Sequence, residues 1–299
     1  YVPARYGAEA VRRANREPGA MNPIYRTLSI KYASTGFRRL ARNIRTAWFR
    51  AGDGSSPWPV LVTLRVTEDC NLRCKMCFGR GCEIREDNWQ KEPKGPELSE
   101  AAYTQLIDDL AVFSPTFYIT GGEPLLARTL FPVISQIKSK GMYVSLNTNA
   151  TLLHENAEQL VESGLDKIIF SLDGPPAIHD SIRGKSFDVI ADGIQAVNMI
   201  KAGKGLRAPV LRAQCAISPY NVNNLYETAI EAGKLGVDEI RFQHLMFVSH
   251  DEQFCADDLT KSLALRVKLS NYVLRPGSLD IAALRSEITR LRGLSGRRP

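Results

Sequence analysis

Pro59-Val-Leu-Val-Thr-Leu-Arg-Val-Thr67, followed by Cys70-Asn-Leu-Arg-Cys74-Lys-Met-Cys77, is the stretch that decides the reading of this 299-residue chain. The first run reads as a buried strand that delivers the cysteine loop at its C-terminal end. Three thiolates at CxxxCxxC spacing can hold three irons of a [4Fe–4S] cube and leave the fourth without a protein ligand. Electron-transfer clusters are closed by four Cys, and structural zinc sites want four ligands, usually as two separated pairs. A tight loop of three fits neither pattern, and the open iron is a place for chemistry.

Working outward, Thr116-Phe-Tyr-Ile-Thr120 is a second strand that runs into Gly121-Gly122-Glu123-Pro124. Further strands are predicted at 142–147, 167–172, 209–217 and 238–243, beside the first at 60–67. Helices are predicted at 99–113, 127–140, 154–164, 186–203, 223–235 and 257–273, several opening on Ser, Thr or Asn. Strands alternating with helices point to an α/β fold with a parallel sheet. Six such units predict an incomplete (β/α)6 TIM-like barrel, with its site at the C-terminal strand ends. Gly121 and Gly122 allow a sharp turn and close backbone approach there, and Glu123 offers a carboxylate to an ammonium.

Two more strand ends carry polar motifs. One is Asn147-Thr148-Asn149-Ala150; the other is Ile169-Phe-Ser171-Leu-Asp173-Gly174 with His179-Asp180-Ser-Ile-Arg183-Gly184 after it. On these motifs, in this order, the chain resembles the radical S-adenosylmethionine (SAM) enzymes over roughly Val60 to Leu245. Within them it is most similar to the branch of peptide maturases and anaerobic sulfatase activators (SPASM type). The resemblance implies a [4Fe–4S] cluster on Cys70, Cys74 and Cys77, and SAM bound through its amino and carboxylate groups. It places Gly121, Gly122 and Glu123 at the amino group, and Ser171 and Arg183 at the carboxylate. Asn149 becomes a polar group near the cofactor, and Asp173 bonds the ribose or holds its loop. Two positions depart from the family: Met76 stands where an aromatic is usual, and Ala150 where Gly is usual. Lys75 is expected to face solvent.

The activity implied is reductive cleavage of SAM and removal of a hydrogen atom from a substrate, with a peptide or protein side chain as the leading class. A reduced flavodoxin- or ferredoxin-like protein is the implied electron donor. A lipid or nucleoside is the alternative substrate. A cluster-bearing electron carrier or redox sensor is the alternative of another class, though a carrier has no reason to place Glu123, Ser171 and Arg183 around an open iron. No residue is assigned as catalytic. His179, beside Asp180, is expected to make a structural hydrogen bond, and Cys215 to be a small core residue. Cys82 and Cys255 lie in predicted loops, while Asn221, Asn223, Gln243 and Leu245 are weaker candidates to line the site.

Composition sets the remaining bounds. Six Cys with three in one loop do not form a disulfide framework, which implies a reducing cytoplasm. No run of about 18 apolar residues predicts a membrane span. Residues 1–50 hold eleven Lys/Arg against two Asp/Glu, and 285–299 hold five against one, which leaves the middle net acidic. Phe37, Leu40, Ala41, Ile44 and Trp48 stripe a basic amphipathic helix, which either closes the barrel bottom or docks on an anionic surface. The expected division is a basic N-terminal extension at 1–58, a core barrel at 59–275, and a C-terminal helix with linker at 276–299. That last helix is expected to open on Ser278 and to pack through Ile281, Leu284, Ile288 and Leu291. A start at Tyr1 and a stop at Pro299 suggest a piece of a longer protein.

Overall fold

The computed structural model describes residues 59–77, 97–244 and 279–294. The readings made for 37–48, 257–273, Cys82, Leu245, Cys255 and Ser278 lie outside them. The chain divides into two units, Tyr1–Val60 with Asp109–Ser114, and Leu61–Asp108 with Pro115–Pro299. In the first, Phe113 N donates to Leu110 O at 3.0 Å and Ser114 N to Ala111 O at 3.1 Å, closing a helix end.

The second unit carries six parallel strands ordered as in the chain: β1 Leu61–Arg65, β2 Thr116–Thr120, β3 Val144–Thr148, β4 Lys167–Ser171, β5 Val210–Ile217 and β6 Glu239–His244. Between them run α1 Glu100–Ala111, α2 Leu130–Ser139, α3 Leu153–Glu162, α4 Pro176–Arg183, α5 Phe187–Gly203 and α6 Leu225–Lys234; α7 Ile281–Leu294 follows the sheet. This is an incomplete TIM-like barrel whose edges are β1 and β6. Each predicted strand is found within two residues of its expected ends. The departure is α4, where a loop was expected. Pro175 and Pro176 start it, and Pro is well suited to the first turn of a helix because the N–H it lacks has no partner there.

Alternation along each strand sorts the two faces. Phe117, Ile119, Leu146, Phe170 and Leu211 are fully buried on the outer, helix-covered face, each stabilising the fold by about 1.5–3 kcal/mol. Their neighbours face the lumen, where Thr63, Tyr118, Ser145 and Lys167 stand in one row of the parallel register. One clamp occurs twice at the N-terminal strand ends. Asp166 Oδ2 accepts from Val144 N at 2.9 Å and Lys138 Nζ at 2.7 Å; Asp238 Oδ2 accepts from Leu211 N at 2.8 Å and Lys201 Nζ at 3.4 Å. Each aspartate thus satisfies the first free N–H of the neighbouring strand.

Helix capping follows a different set of residues from that expected. Ser99 Oγ accepts from Ala102 N at 3.2 Å, but Ser186 and Asn224 make no side-chain cap. Asp180 Oδ1 instead accepts from Ser186 N and Phe187 N at 3.0 and 2.9 Å. Asp280 caps α7 by accepting from Ala283 N at 2.9 Å. The expected packing of α7 holds in part: Leu284 and Leu291 are half-buried, while Ile281 is 53% and Ile288 37% exposed. The helix docks through buried Glu287, which accepts from Tyr226 N at 2.8 Å, and through Arg290, which reaches Glu227 at 2.7 Å.

Candidate functional site

The cysteine loop continues the pairing of β1 with β2 beyond the strands themselves. Val66 N donates to Thr120 O at 3.0 Å, Gly122 N to Thr67 O at 2.8 Å and Glu123 N to Asp69 O at 2.6 Å, so the ladder reaches the residue before Cys70. The two glycines make that approach possible. A Cβ on Gly121 would lie 2.5 Å from Thr67 O, and one on Gly122 would lie 2.2 Å from Asp69 O. Neither glycine has a positive φ. Their role here is therefore room for the neighbouring backbone, and the chain needs no left-handed turn at this point.

Glu123, expected to offer its carboxylate to an ammonium, engages other protein groups in this structure. The side chain is fully buried. Oε1 accepts from Thr148 Oγ1 at 2.7 Å and Leu125 N at 3.0 Å, and Oε2 accepts from Asn149 N at 2.7 Å. Burial pushes its pKa up, against three hydrogen bonds that pull it down. The carboxylate braces the loops after β2 and β3 and does not reach into open space.

Asn149, held by that brace, turns its side chain to the cysteine loop. Its Nδ2 lies 2.8 Å from Asn71 Oδ1 and 3.8 Å from Cys70 Sγ. Its Oδ1 accepts from Thr151 N at 3.0 Å, and Asn71 Nδ2 donates to Thr151 Oγ1 at 2.8 Å. Ala150 beside it has φ 68°, a conformation that favours glycine, which accounts for the usual Gly at this position.

From β4, Asp173 is fully buried and holds the loop. Its Oδ2 accepts from Arg183 Nε, and its Oδ1 from Ala216 N at 2.8 Å. Of the two roles expected for Asp173, this geometry matches the holding one. Arg183 in turn places Nη1 3.7 Å from Cys74 Sγ. Burial opposes its charge, but Asp173 and the thiols outweigh burial and raise its pKa further, so the guanidinium stays cationic. Cys74 is pushed up by burial while Arg183 pulls it down. Ser171 is half-buried at the C-terminal end of β4, in register with Gln214. Gly121, Gly122, Glu123, Asn149, Asp173 and Arg183 thus converge on the loop of Cys70, Cys74 and Cys77, while Ser171 marks the strand end nearby.

His179 makes the structural hydrogen bonds expected of it. Asp173 N donates to Nδ1 at 3.2 Å, which leaves the proton on Nε2, 3.2 Å from Ser186 Oγ. Burial, then Arg183, lower its pKa to about 4. Cys215 is a buried core thiol, also as expected. Asn221 is fully buried and bonds Asp173 O at 2.9 Å and Ala216 O at 3.0 Å, so it stitches loops together and does not line a cavity. Lys75 is half-buried with its ammonium 5.9 Å from the Tyr220 ring centre, not simply solvated. Met76 is buried with Ile182, Ile178 and Tyr220. Thr148, Asn71 and Thr151 were missed; the first two lie inside quoted motifs, and Thr151 carries no spacing signal.

The donor set suits a cluster. Leu72 N lies 3.5 Å from Cys70 Sγ, so with Asn149 and Arg183 three N–H groups approach two of the sulfurs, and such bonds tune cluster sulfurs. Among the described residues no three His, Cys, Asp or Glu side chains converge on one ion position.

A parallel half-barrel bearing such a loop belongs to the class of cluster-dependent α/β barrels. Residues 64–202 match the radical SAM superfamily. Members of the superfamily bind a [4Fe–4S] cluster and SAM. The Fe-coproporphyrin III synthase of Methanosarcina barkeri is 30% identical over 67% of this chain and 47% of its own length. The pre-heme d1 synthase of Dinoroseobacter shibae is 27% identical over 68% of this chain and 47% of its own. The chain spans about half the length of the curated relatives it matches. Streptococcus suis SuiB bound to SAM shares the fold at TM-score 0.59 and 15% identity, covering 91% of this chain and 56% of that one. The anSMEcpe enzyme with SAM and the Kp18Cys peptide shares it at 0.54 and 16%, covering 80% and 62%. Among the described residues no helix is long and apolar enough to cross a membrane.

Proposed function

We propose that this chain is the core of a radical SAM enzyme in which Cys70, Cys74 and Cys77 hold the cluster and residues 59–275 form the catalytic barrel. The observation that carries it is the approach of Asn149 and Arg183 to the sulfurs of Cys70 and Cys74. When bound, the cluster and SAM supply one-electron cleavage of a sulfonium and abstraction of a hydrogen atom from substrate. The chain's own residues hold and screen that chemistry. Gly121 and Gly122 fix the loop by backbone contact, and Glu123 ties it to the β3 end. Arg183 places a permanent cation beside anionic sulfur, and its fork suits a carboxylate. Ser171 stands at the same mouth as a hydroxyl donor. A reduced flavodoxin- or ferredoxin-like protein is the electron source in this reading.

The leading substrate is a peptide or protein side chain, supported by the likeness to SuiB and to the peptide complex of anSMEcpe. The names of the sequence relatives favour a second reading, a tetrapyrrole cofactor precursor. The test is anaerobic reconstitution, reduction with dithionite, and mass spectrometry for 5′-deoxyadenosine, with the triple Cys→Ala variant as control. Deuterium carried from a labelled peptide or a labelled porphyrinogen into that product decides the substrate class. A fully loaded cluster that SAM leaves unperturbed by EPR points to an electron carrier instead.

A further inference from the structure

The barrel lumen has a charge that the cofactor site does not use. Between residues 51 and 284 the chain carries more Asp and Glu than Lys and Arg, yet the lumen reverses that balance. Parallel register puts Arg65 of β1, Lys167 of β4, Arg212 of β5 and Arg241 of β6 on the inner face: Lys167 in the row of Tyr118, Arg65 beside Thr120, Arg212 between Ile169 and Glu239, and Arg241 beside Gln214. Glu239 is the one carboxylate among the described strand residues of that face. It is shared by Lys167 at 3.0 Å and Arg212 at 2.5 Å, which uses it up.

Arg65 and Arg241 remain. Both are exposed, and among the described residues neither has an ion-pair partner. They stand on the sheet's two edge strands, on either side of its open seam. Arg65 ends its strand five residues before Cys70, which sets its guanidinium at the site end of the barrel. Tyr118 faces Arg241 closely enough to feel its charge, and Gln214 Nε2 donates to Gln243 Oε1 at 3.2 Å in the next rows. Two guanidiniums without an ion-pair partner among the described residues, a phenol and two amides on the inner face form a donor-rich wall. That wall suits carboxylates, which the Arg fork meets in pairs of hydrogen bonds.

We infer that the lumen binds an anionic substrate and that Arg65 and Arg241 grip its carboxylates, with Tyr118 as a further donor. The inference deepens the enzyme reading, on which it rests for the later chemistry, though the binding needs no SAM cleavage. The carboxylates have two sources, acidic side chains of a peptide or a small polyacid. The reconstituted full chain is titrated calorimetrically with coproporphyrin III and its neutral tetra-amide, and with a hexaglutamate peptide and its hexaglutamine counterpart.

In at least one arm the acid is expected to bind ten times or more tighter than its neutral partner, and to weaken as salt rises. Each of Arg65→Gln and Arg241→Gln is expected to weaken it by about tenfold or more, the scale of a charge-assisted hydrogen bond. Arg→Lys at either position keeps the charge and recovers part of the loss. The arm that responds names the source. Acids that bind no tighter than their neutral partners, or a double Gln variant with wild-type affinity, overturn the inference. Formation of 5′-deoxyadenosine, scored in parallel, separates the two readings. Cleavage of SAM without acid preference removes the lumen inference alone, and Arg-dependent acid binding without cleavage removes the enzyme reading alone.

Discussion

Replacing Gly122 by Ala adds one methyl group, and the structure gives that methyl no place to go. It would lie 2.2 Å from Asp69 O, 2.6 Å from Asp69 C and 2.6 Å from Glu68 O, all of them backbone atoms. A flexible side chain could swing away, but here the segment before Cys70 must move by about 1 Å to reach ordinary contact. That shift breaks the bonds from Gly122 N to Thr67 O and Glu123 N to Asp69 O, at about 0.5–1.5 kcal/mol each. Overpacking adds about 1–3 kcal/mol. The sum is a loss of about 2–6 kcal/mol, at least a thirtyfold change in the folded to unfolded ratio. Gly203→Ala is the internal control, because a Cβ there meets nothing within 4 Å at the end of α5. It should be neutral or stabilise by up to about 1 kcal/mol. Urea midpoints, with iron content after reconstitution, measure both. If Gly122→Ala keeps the wild-type midpoint and binds iron normally, the backbone contact does not set the cysteine loop and the reasoning fails.

Other sites give further tests. His179 has a folded pKa of about 4 against 6.5 when unfolded, so the unfolded chain takes up its proton first as pH falls. Its contribution is therefore flat above pH 6.5 and costs about 3 kcal/mol of stability by pH 4; urea midpoints across that window should fall less steeply in His179→Gln. Glu123→Gln turns an amide nitrogen toward at least one of the donors that Glu123 now accepts from, whichever way the amide lies. A loss of about 1–3 kcal/mol with poorer iron retention is expected. Glu287→Ala leaves Tyr226 N without its acceptor and removes one of the two carboxylates that Arg290 pairs with, so α7 amides should exchange hydrogen faster, at a cost of about 1–3 kcal/mol.

The strands were legible because apolar alternation and length are local properties. Thr116–Thr120 alternates half-buried and buried residues as its sequence suggests. The helix Pro176–Arg183 was less legible because its eight residues make only about two turns, too few for a helical period to stand out, and its opening prolines are the one local signal. Capping went astray for another reason. Ser186 has the right residue type, but its hydroxyl donates to Gly184 O and meets His179 Nε2, while Asp180 of the preceding helix accepts from Ser186 N and Phe187 N. Which partner a hydroxyl takes is decided by tertiary geometry, and the local sequence window does not contain it.

The site shows the same limit in sharper form. Glu123, Asp173 and Arg183 all carry charges that suit a zwitterionic ligand, and residue type alone cannot say whether such a charge is spent inside the protein. Backbone donors decide it. Each carboxylate is met by a main-chain N–H from the C-terminal end of another strand or the loop after it, Asn149 N for Glu123 and Ala216 N for Asp173. A buried carboxylate so engaged stabilises the relative placement of strand ends, because moving either loop strands a charge away from water. Arg183 differs because Asp173 takes only its Nε, and Nη1 still points at the cysteine loop. The two carboxylates therefore act by holding the mouth of the barrel in shape, while the arginine they help to place is the charge left to meet sulfur and ligand.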